Sequence, residues 1–199
     1  MNDPQPTRAS LLIRIRDQAD REAWSQFVEI YAPLIYGFGR NRGLQDSDAA
    51  DLTQDVLQSV AGAISRLDYD PRKGTFRSWL FTVVRNRLRN ELKAKARREQ
   101  ASGDSGVAAR IDAEPSREDD WETTWQRDHQ RRLFAWAANQ VEAEVEPRTW
   151  QAFWKTTVDG ESGRAVAEEL GMTLASVYLA KSRVMAKLRA LVRAAETDE

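Results

Sequence analysis

Two carboxylates, Asp51 and Asp55, stand four residues apart in a stretch whose apolar residues recur with a helical period. Side chains at this spacing share one face of a helix and could together hold a metal ion. The chain has no cysteine and one histidine, His129, which excludes thiolate sites, cysteine nucleophiles and multi-histidine metal sites. No third ligand cluster or glycine-rich phosphate loop accompanies the pair, so the sequence predicts no metal, no cofactor and no catalysis.

Positive charge is concentrated in one block of the chain. Residues 72–98 carry ten basic groups and one acid, although the 199-residue chain has a formal net charge of −1. A helix that turns by about 100° per residue places Arg85, Arg89 and Lys93 on one stripe, with Asn86 and Asn90 alongside. The apolar stripe on the opposite side is formed by Phe76, Leu80 and Val83. Arginine binds phosphates and asparagine pairs with base edges, so the block predicts a nucleic-acid surface.

Aromatic residues beside this block offer a second kind of contact with nucleic acid. Tyr69, Phe76 and Trp79 could stack on unpaired bases. Phe76 and Trp79 also fit the apolar stripe of their helix, so a core position is the alternative for both. For the block as a whole the alternative is a solvated helix surface, which the near absence of acids makes less favourable.

A second pattern near the C-terminus points to DNA. Val166 and Leu170 are four residues apart, Gly171 favours the backbone that ends a helix, and Thr173 can cap the next helix. This order is typical of a helix–turn–helix unit, in which the early residues of the second helix enter the major groove. Five residues are predicted to face outward: Ala175, Ser176, Tyr178, Leu179 and Ser182. The alternative is a plain helical hairpin with a basic outer face.

Cations follow along the same predicted helix. Residues 174–193 contain five basic groups and no acid: Lys181, Arg183, Lys187, Arg189 and Arg193. Cations in this position can bind phosphates.

The elements that must position these residues are helices. Apolar residues recur at helical spacing from Leu52 to Leu67, where Ser47 or Asp48 could cap the helix, and upstream, where Pro33 must kink or interrupt a second stripe. Residues 99–128 are acidic, polar and without apolar period in their first part. The predicted fold class is all-α, with two small helical domains at 8–98 and 129–195, a flexible acidic linker at 99–128 and the helix–turn–helix in the C-terminal domain.

No apolar run approaches the roughly 18–20 residues that a membrane span needs. The N-terminus shows no basic region followed by an apolar stretch, the pattern of a signal peptide. The sequence therefore predicts a cytoplasmic protein without membrane insertion.

Two stretches of the first predicted domain resemble conserved region 2 of bacterial RNA polymerase sigma factors: residues 48–56, DAADLTQDV, and residues 67–86, LDYDPRKGTFRSWLFTVVRN. The helix–turn–helix pattern resembles region 4. The chain is thus similar to the extracytoplasmic-function (ECF) type, which keeps only regions 2 and 4. The resemblance covers about 10–98 and 130–195.

The resemblance implies a sigma factor that binds core RNA polymerase and directs promoter recognition, DNA melting and transcription initiation. Core-polymerase binding maps to Asp51, Gln54, Asp55 and Gln58. Binding of the −10 promoter element maps to Tyr69, Arg72, Lys73, Phe76, Arg77, Trp79, Arg85, Asn86, Arg89 and Asn90. Binding of the −35 element maps to Thr173, Ala175, Ser176, Tyr178, Leu179, Lys181, Ser182, Arg183 and Lys187.

The implied partners are core RNA polymerase and promoter DNA, and an anti-sigma factor is a further candidate. Many family members carry a basic residue early in the recognition helix, whereas here Tyr178, Leu179 and Ala180 precede the first lysine, Lys181. Two other functions remain open from the residues alone. One is a stand-alone helix–turn–helix repressor or activator that binds a palindromic site, and the other is a regulatory protein that binds polymerase without reading promoters.

Overall fold

The structure is a computed structural model that describes residues 11–64, 76–101 and 116–196. Within these ranges every regular element is a helix, which confirms the predicted all-α class. The helices are α1 (Leu11–Arg14), α2 (Arg21–Arg40), α3 (Asp46–Ile64), α4 (Phe76–Ala101), α5 (Ser116–Glu144), α6 (Pro147–Thr157), α7 (Gly163–Leu170) and α8 (Leu174–Glu196).

The chain divides into two compact units, one from Leu11 to Arg132 and one that begins at Leu133. The division falls within α5 and not at the predicted boundaries, 98 and 129. The prediction of a flexible linker is wrong for residues 116–128, which are helical. Residues 99–101 end α4, and residues 102–115 of the predicted linker lie outside the described ranges.

In the first unit, α2 and α3 pack closely side by side. Helix α2 starts where the Asp20 carboxylate accepts a hydrogen bond from the Ala23 amide at 2.9 Å, and it runs through Pro33 without interruption. A Cβ at Gly39 would lie 3.1 Å from the Leu52 side chain, so the missing side chain permits this approach. Helix α3 begins at Asp46, slightly before the predicted caps, and its apolar stripe is buried as expected.

Helix α4 buries most of its predicted apolar stripe, including Phe76 and Leu80. Leu80, Val84 and Leu88 are buried, whereas Val83 is only half-buried. The buried stripe thus continues from Phe76 to Leu88 at a spacing of four residues. As a consequence Asn86 and Asn90 lie fully outward, and Arg85 and Arg89 flank the buried face.

The second unit contains two neighbouring apolar clusters. One joins α5, α6 and α8 through residues that include Val141, Phe153 and Val184. The other joins α6, α7 and α8 through Ala152, Val166, Ala167, Val177 and Ala180. Pro147 occupies the first turn of α6, where its missing amide costs no helical hydrogen bond.

Candidate functional site

A groove of about 760 Å³ runs along the outer side of α2 and α3. Its walls are mostly apolar and include Trp24, Val28 and Leu57. Val28 is 41% exposed, and an exposed valine beside other apolar side chains is characteristic of a surface that another molecule covers. The helices themselves are held together by a buried core behind the groove, so the groove is a surface feature and not a packing defect.

The four residues predicted to bind polymerase do not form one group. Gln54 and Gln58 line the groove. Asp51 is exposed on the same helix. Asp55 instead faces α4, where Arg87 Nη1 donates to its Oδ2 at 2.9 Å and Arg87 Nη2 donates to Ser59 Oγ at 2.7 Å. Asp55 thus joins α3 to α4, and of the four residues the two glutamines line the groove.

The predicted −10 residues fall into three classes. Tyr69, Arg72 and Lys73 lie outside the described residues. Phe76 is 2% exposed and makes edge-to-face contacts with Phe27 and Tyr31, so it is a core residue and its prediction as a base-stacking residue is corrected. The remaining residues are accessible to different degrees: Arg77, Trp79, Arg85 and Arg89 are half-buried, and Asn86 and Asn90 are exposed.

Arg85 occupies an unusual position on this helix. Its guanidinium lies 5.7 Å from the centroid of the Phe81 ring. Its Nε is buried and finds no hydrogen-bond partner among the described residues. A guanidinium beside an aromatic ring has its stem packed against the ring, which leaves its outer edge able to bind an anion.

The N-terminal part of α5 completes the first unit. Trp125 is 1% exposed and lies edge-to-face on Phe38, with ring centroids 5.2 Å apart, and tilted against Phe81 at 5.9 Å. The Arg42 guanidinium lies 3.3 Å above the Phe38 ring and 4.9 Å from the Trp121 ring. Burial lowers the pKa of Arg42 to about 10, with Asp128 and Asp120 opposing the shift, so Arg42 remains charged at neutral pH. Part of the predicted linker is therefore core.

In the second unit, α7 and α8 are joined by a tight turn. Gly171 has φ +61°, the left-handed conformation that its position was predicted to require. The Thr173 hydroxyl accepts from the Ser176 amide at 3.1 Å and caps α8. Val177 and Val184 face the core, while the outward residues Ala175, Tyr178, Leu179, Ser182 and Arg183 are exposed.

The cations of α8 differ in their surroundings. Lys181 is half-buried and Arg183 exposed on the flanks of the outward stripe. Lys187 donates to Glu144 of α5 at 2.6 Å, which ties α8 to its neighbour. Lys187 is thus partly committed to an intramolecular ion pair, unlike the role that the sequence predicted for it.

Within the described ranges, no group of three or more His, Cys, Asp or Glu residues could hold a metal ion. In the same ranges, no helix is both long enough and apolar enough to span a bilayer.

Part of the first unit matches a known protein family. Residues 27–98 match the family described as Sigma-70 region 2. These residues are therefore similar to sigma-70 region 2, and we refer to them as the region 2 domain. The Asp55–Arg87 pair, the outward asparagines of α4 and all of the groove lining except Trp24 lie within the matched residues. Trp125 and His129 lie beyond the matched residues and still pack on them.

Three curated relatives agree with this assignment. The chain is 32% identical over 78 residues to the ECF RNA polymerase sigma factor RpoE of Cereibacter sphaeroides, covering 39% of this chain and 42% of the relative. It is 31% identical over 90 residues to the RNA polymerase sigma factor NccH of Alcaligenes xylosoxydans xylosoxydans, covering 45% and 46%. It is 27% identical over 93 residues to the ECF RNA polymerase sigma factor SigE of Mycolicibacterium smegmatis, covering 47% and 35%. The chain thus spans less than half the length of the relatives it matches.

Two features of the region 2 surface escaped the sequence analysis. The apolar wall of the groove, which includes Trp24, Val28 and Leu57, was not predicted, because helical periodicity cannot tell a buried stripe from one that a partner covers. The docking of α5 was missed because its acids were interpreted as a linker. A spacing of four residues from Trp121 to Trp125 to His129 was the available signal.

Proposed function

We propose that the chain is a sigma factor that binds core RNA polymerase and directs promoter recognition, DNA melting and transcription initiation. The single observation that carries this proposal is the apolar groove between α2 and α3, because nearly all of its lining lies within the residues similar to sigma-70 region 2 and includes Gln54 and Gln58, which were predicted to bind polymerase. Such a protein needs no catalytic group, since RNA synthesis belongs to the polymerase.

The groove is the proposed polymerase-docking surface. An amphipathic helix of the polymerase would lay its apolar face against Trp24, Val28 and Leu57. Gln54 and Gln58 would supply hydrogen bonds at the edge, and Asp51 would attract a basic partner residue. Asp55 is assigned to the fold instead, because its carboxylate is paired with Arg87.

The outer side of α4 is the proposed surface for the −10 element. Asn86 and Asn90 expose amides that can pair with base edges, and the half-buried Arg77, Arg85 and Arg89 can bind phosphates. Two of the aromatic residues predicted to bind the −10 element lie in the described ranges: Phe76 is buried, and Trp79 is half-buried and keeps part of its ring accessible. Tyr69, Arg72 and Lys73 remain part of the proposal on sequence grounds alone.

The α7–turn–α8 unit is proposed as the helix–turn–helix that reads the −35 element. The capped start of α8 at Thr173 and its exposed stripe support this role, as do the cations along the helix. The remaining proposed partner is an anti-sigma factor, which would compete for the groove or for α8.

The proposal is tested by run-off transcription with purified bacterial core polymerase and fragments of the source genome. We expect discrete transcripts that require the chain, and their start sites should share two upstream elements. Val28→Glu should abolish or strongly weaken association with core polymerase, because it places a charge inside an apolar interface. Ile13→Glu is the matched control, since Ile13 is 58% exposed and does not line the groove.

Absence of any transcript, together with tight binding of the isolated chain to a palindromic DNA site, would instead support the stand-alone repressor or activator. Association with polymerase without promoter-specific transcription would support the regulatory protein.

A further inference from the structure

The outward stripe of α8 carries apolar side chains where charged ones would be expected. Tyr178 is 57% exposed and Leu179 is 50% exposed. Ala175 and Ser182 lie between them on the same exposed side. Large apolar side chains that stay exposed give the free protein no stabilisation from burial. On a helix that also presents cations, such side chains need a specific explanation.

One of these side chains, Tyr178, lies against the neighbouring helix together with Leu174. A Cβ added to Gly163, the first residue of α7, would lie 3.1 Å from Leu174 Cδ1 and 3.3 Å from Tyr178 Oη. Leu174 and Tyr178 therefore rest against the backbone of α7, where any larger residue would push them outward. A surface that is positioned in this way loses little side-chain entropy when it binds.

The charges around the stripe select the kind of molecule that it meets. Arg183 is exposed, Lys181 is half-buried, and residues 174–193 contain no acid. A flanking pair of cations with an uncharged centre matches the DNA major groove, where phosphates line both sides and base edges lie between them. A protein partner would have to present acids at both flanks, and nothing in the described residues favours that arrangement over DNA.

Base edges in the major groove offer one apolar group, the C5 methyl of thymine. Leucine and alanine have no hydrogen-bonding group, so they cannot distinguish the polar edges of guanine, cytosine or adenine directly. We propose that α8 reads thymine methyl groups through Leu179, Tyr178 and Ala175, while Lys181 and Arg183 bind the adjacent phosphates. This inference rests on the proposed function, since it specifies how the promoter surface of the second unit recognises its element.

The test replaces thymine by deoxyuridine, which lacks only the methyl group and keeps every hydrogen-bonding position. A promoter mapped by run-off transcription is synthesised with deoxyuridine at the thymines of its upstream element, and its affinity for the reconstituted holoenzyme is measured. We expect about a fourfold loss for each contacted methyl. The same replacement between the two elements should change affinity little.

Protein variants connect the loss to the named side chains. In the Leu179→Ala holoenzyme, the affinity difference between thymine and deoxyuridine DNA should shrink, because the side chain that contacts the methyl is gone. Val158→Ala is the matched control: Val158 is 48% exposed in the same unit, outside α8, and the variant should keep the full difference. Gly163→Ala should also reduce the difference by displacing Leu174 and Tyr178.

Equal affinity for thymine and deoxyuridine DNA, with transcription intact, would overturn methyl reading and leave the sigma function standing. If the two DNAs bound equally and Leu179→Ala weakened only the binding of a protein, the stripe would be assigned to a protein partner. Failure to direct any transcription would overturn the proposed function itself, and methyl reading with it.

Discussion

The imidazole of His129 lies against the ring of Tyr31, with its Nε2 3.3 Å from the Tyr31 hydroxyl oxygen. His129 is buried, and its Nδ1 finds no hydrogen-bond partner among the described residues. Burial lowers the pKa of His129 to about 4, and the charge of Arg77 contributes to the shift. The neutral ring therefore helps to attach α5 to α2, and a proton on it would oppose this attachment.

The first prediction is that His129 titrates well below an exposed histidine. It is the one histidine of the chain, so its ring signal in a proton NMR titration needs no assignment. We expect a pKa near 4 in the folded protein and near 6.5 in urea. The unfolded state then binds more protons between these two values, so stability is complete above about pH 6.5 and falls as the pH decreases toward 4, by about 3 kcal/mol at most.

His129→Phe provides the control for this pH dependence. Phenylalanine cannot titrate, so the variant should lose the part of the pH dependence that lies between about pH 4 and 6.5. Urea unfolding curves of the two proteins at several pH values measure this difference. A parallel pH dependence in both proteins would contradict the assignment.

The second prediction concerns Trp125, whose indole fills the space between Phe38 and Phe81. Trp125→Ala should destabilise the first unit by about 3–5 kcal/mol, because it leaves a large cavity in a buried aromatic cluster. Gln126→Ala, at the exposed neighbouring position, should change stability by about 0.5 kcal/mol or less. Urea denaturation followed by circular dichroism measures both, and equal effects of the two substitutions would show that α5 is not part of this core.

A pair of fragments tests the same contact. The fragment that ends at Arg132 retains Trp125 and His129, whereas the fragment that ends at Ala101 exposes the rings of Tyr31, Phe38 and Phe81. We expect the longer fragment to unfold at a clearly higher urea concentration. If the two fragments unfolded at similar urea concentrations, α5 would not stabilise the first unit, and the domain boundary would lie near residue 98, as the sequence predicted.

The sequence predicted those features that local chemistry determines. Gly171 was expected to end a helix because its backbone position favours glycine, and the structure places it at φ +61°. The stripe from Leu52 to Ile64 was expected to be buried because its residues repeat every four positions, and it is. These features depend on neighbours within one or two helical turns.

Features that depend on tertiary contacts were predicted less well. Asp55 looks like an exposed polar residue of α3, and only the packing of α4 brings Arg87 to it. From the sequence, Phe76 could have been an exposed ring, but in the structure Phe27 and Tyr31 of α2 pack against it. Val28 has the spacing of a core residue, yet no helix within the described ranges covers it. The spacing of apolar residues alone does not show which element or molecule covers a helix face.

The third prediction separates the two carboxylates of α3. Asp51→Arg should weaken association with core polymerase and leave the stability of the region 2 domain almost unchanged, because Asp51 is exposed. Asp55→Arg should instead lower stability, because it places a second cation beside Arg87. Asp55→Ala should cost less than about 1 kcal/mol, since both partners of the pair are about half exposed.

Polymerase pull-down and thermal unfolding of each variant measure the two effects separately. If Asp55→Ala reduced polymerase binding as strongly as Asp51→Arg, without loss of stability, the assignment of Asp55 to the fold would fail.

The fourth prediction compares two glycines that both have open space around them. A Cβ on Gly171 or on Gly62 would meet nothing within 4 Å, so no steric clash enters the comparison. Gly171 has φ +61° and Gly62 lies inside α3. Gly171→Ala should therefore destabilise the second unit by about 1–2 kcal/mol, the cost of the left-handed backbone, whereas Gly62→Ala should stabilise the first by about 1 kcal/mol through higher helix propensity.

The stability of Gly171→Asn should lie between that of Gly171→Ala and that of the unchanged chain, because asparagine tolerates this conformation better than alanine. Urea unfolding measures all three, and a neutral Gly171→Ala would mean that the turn between α7 and α8 adopts another backbone in solution.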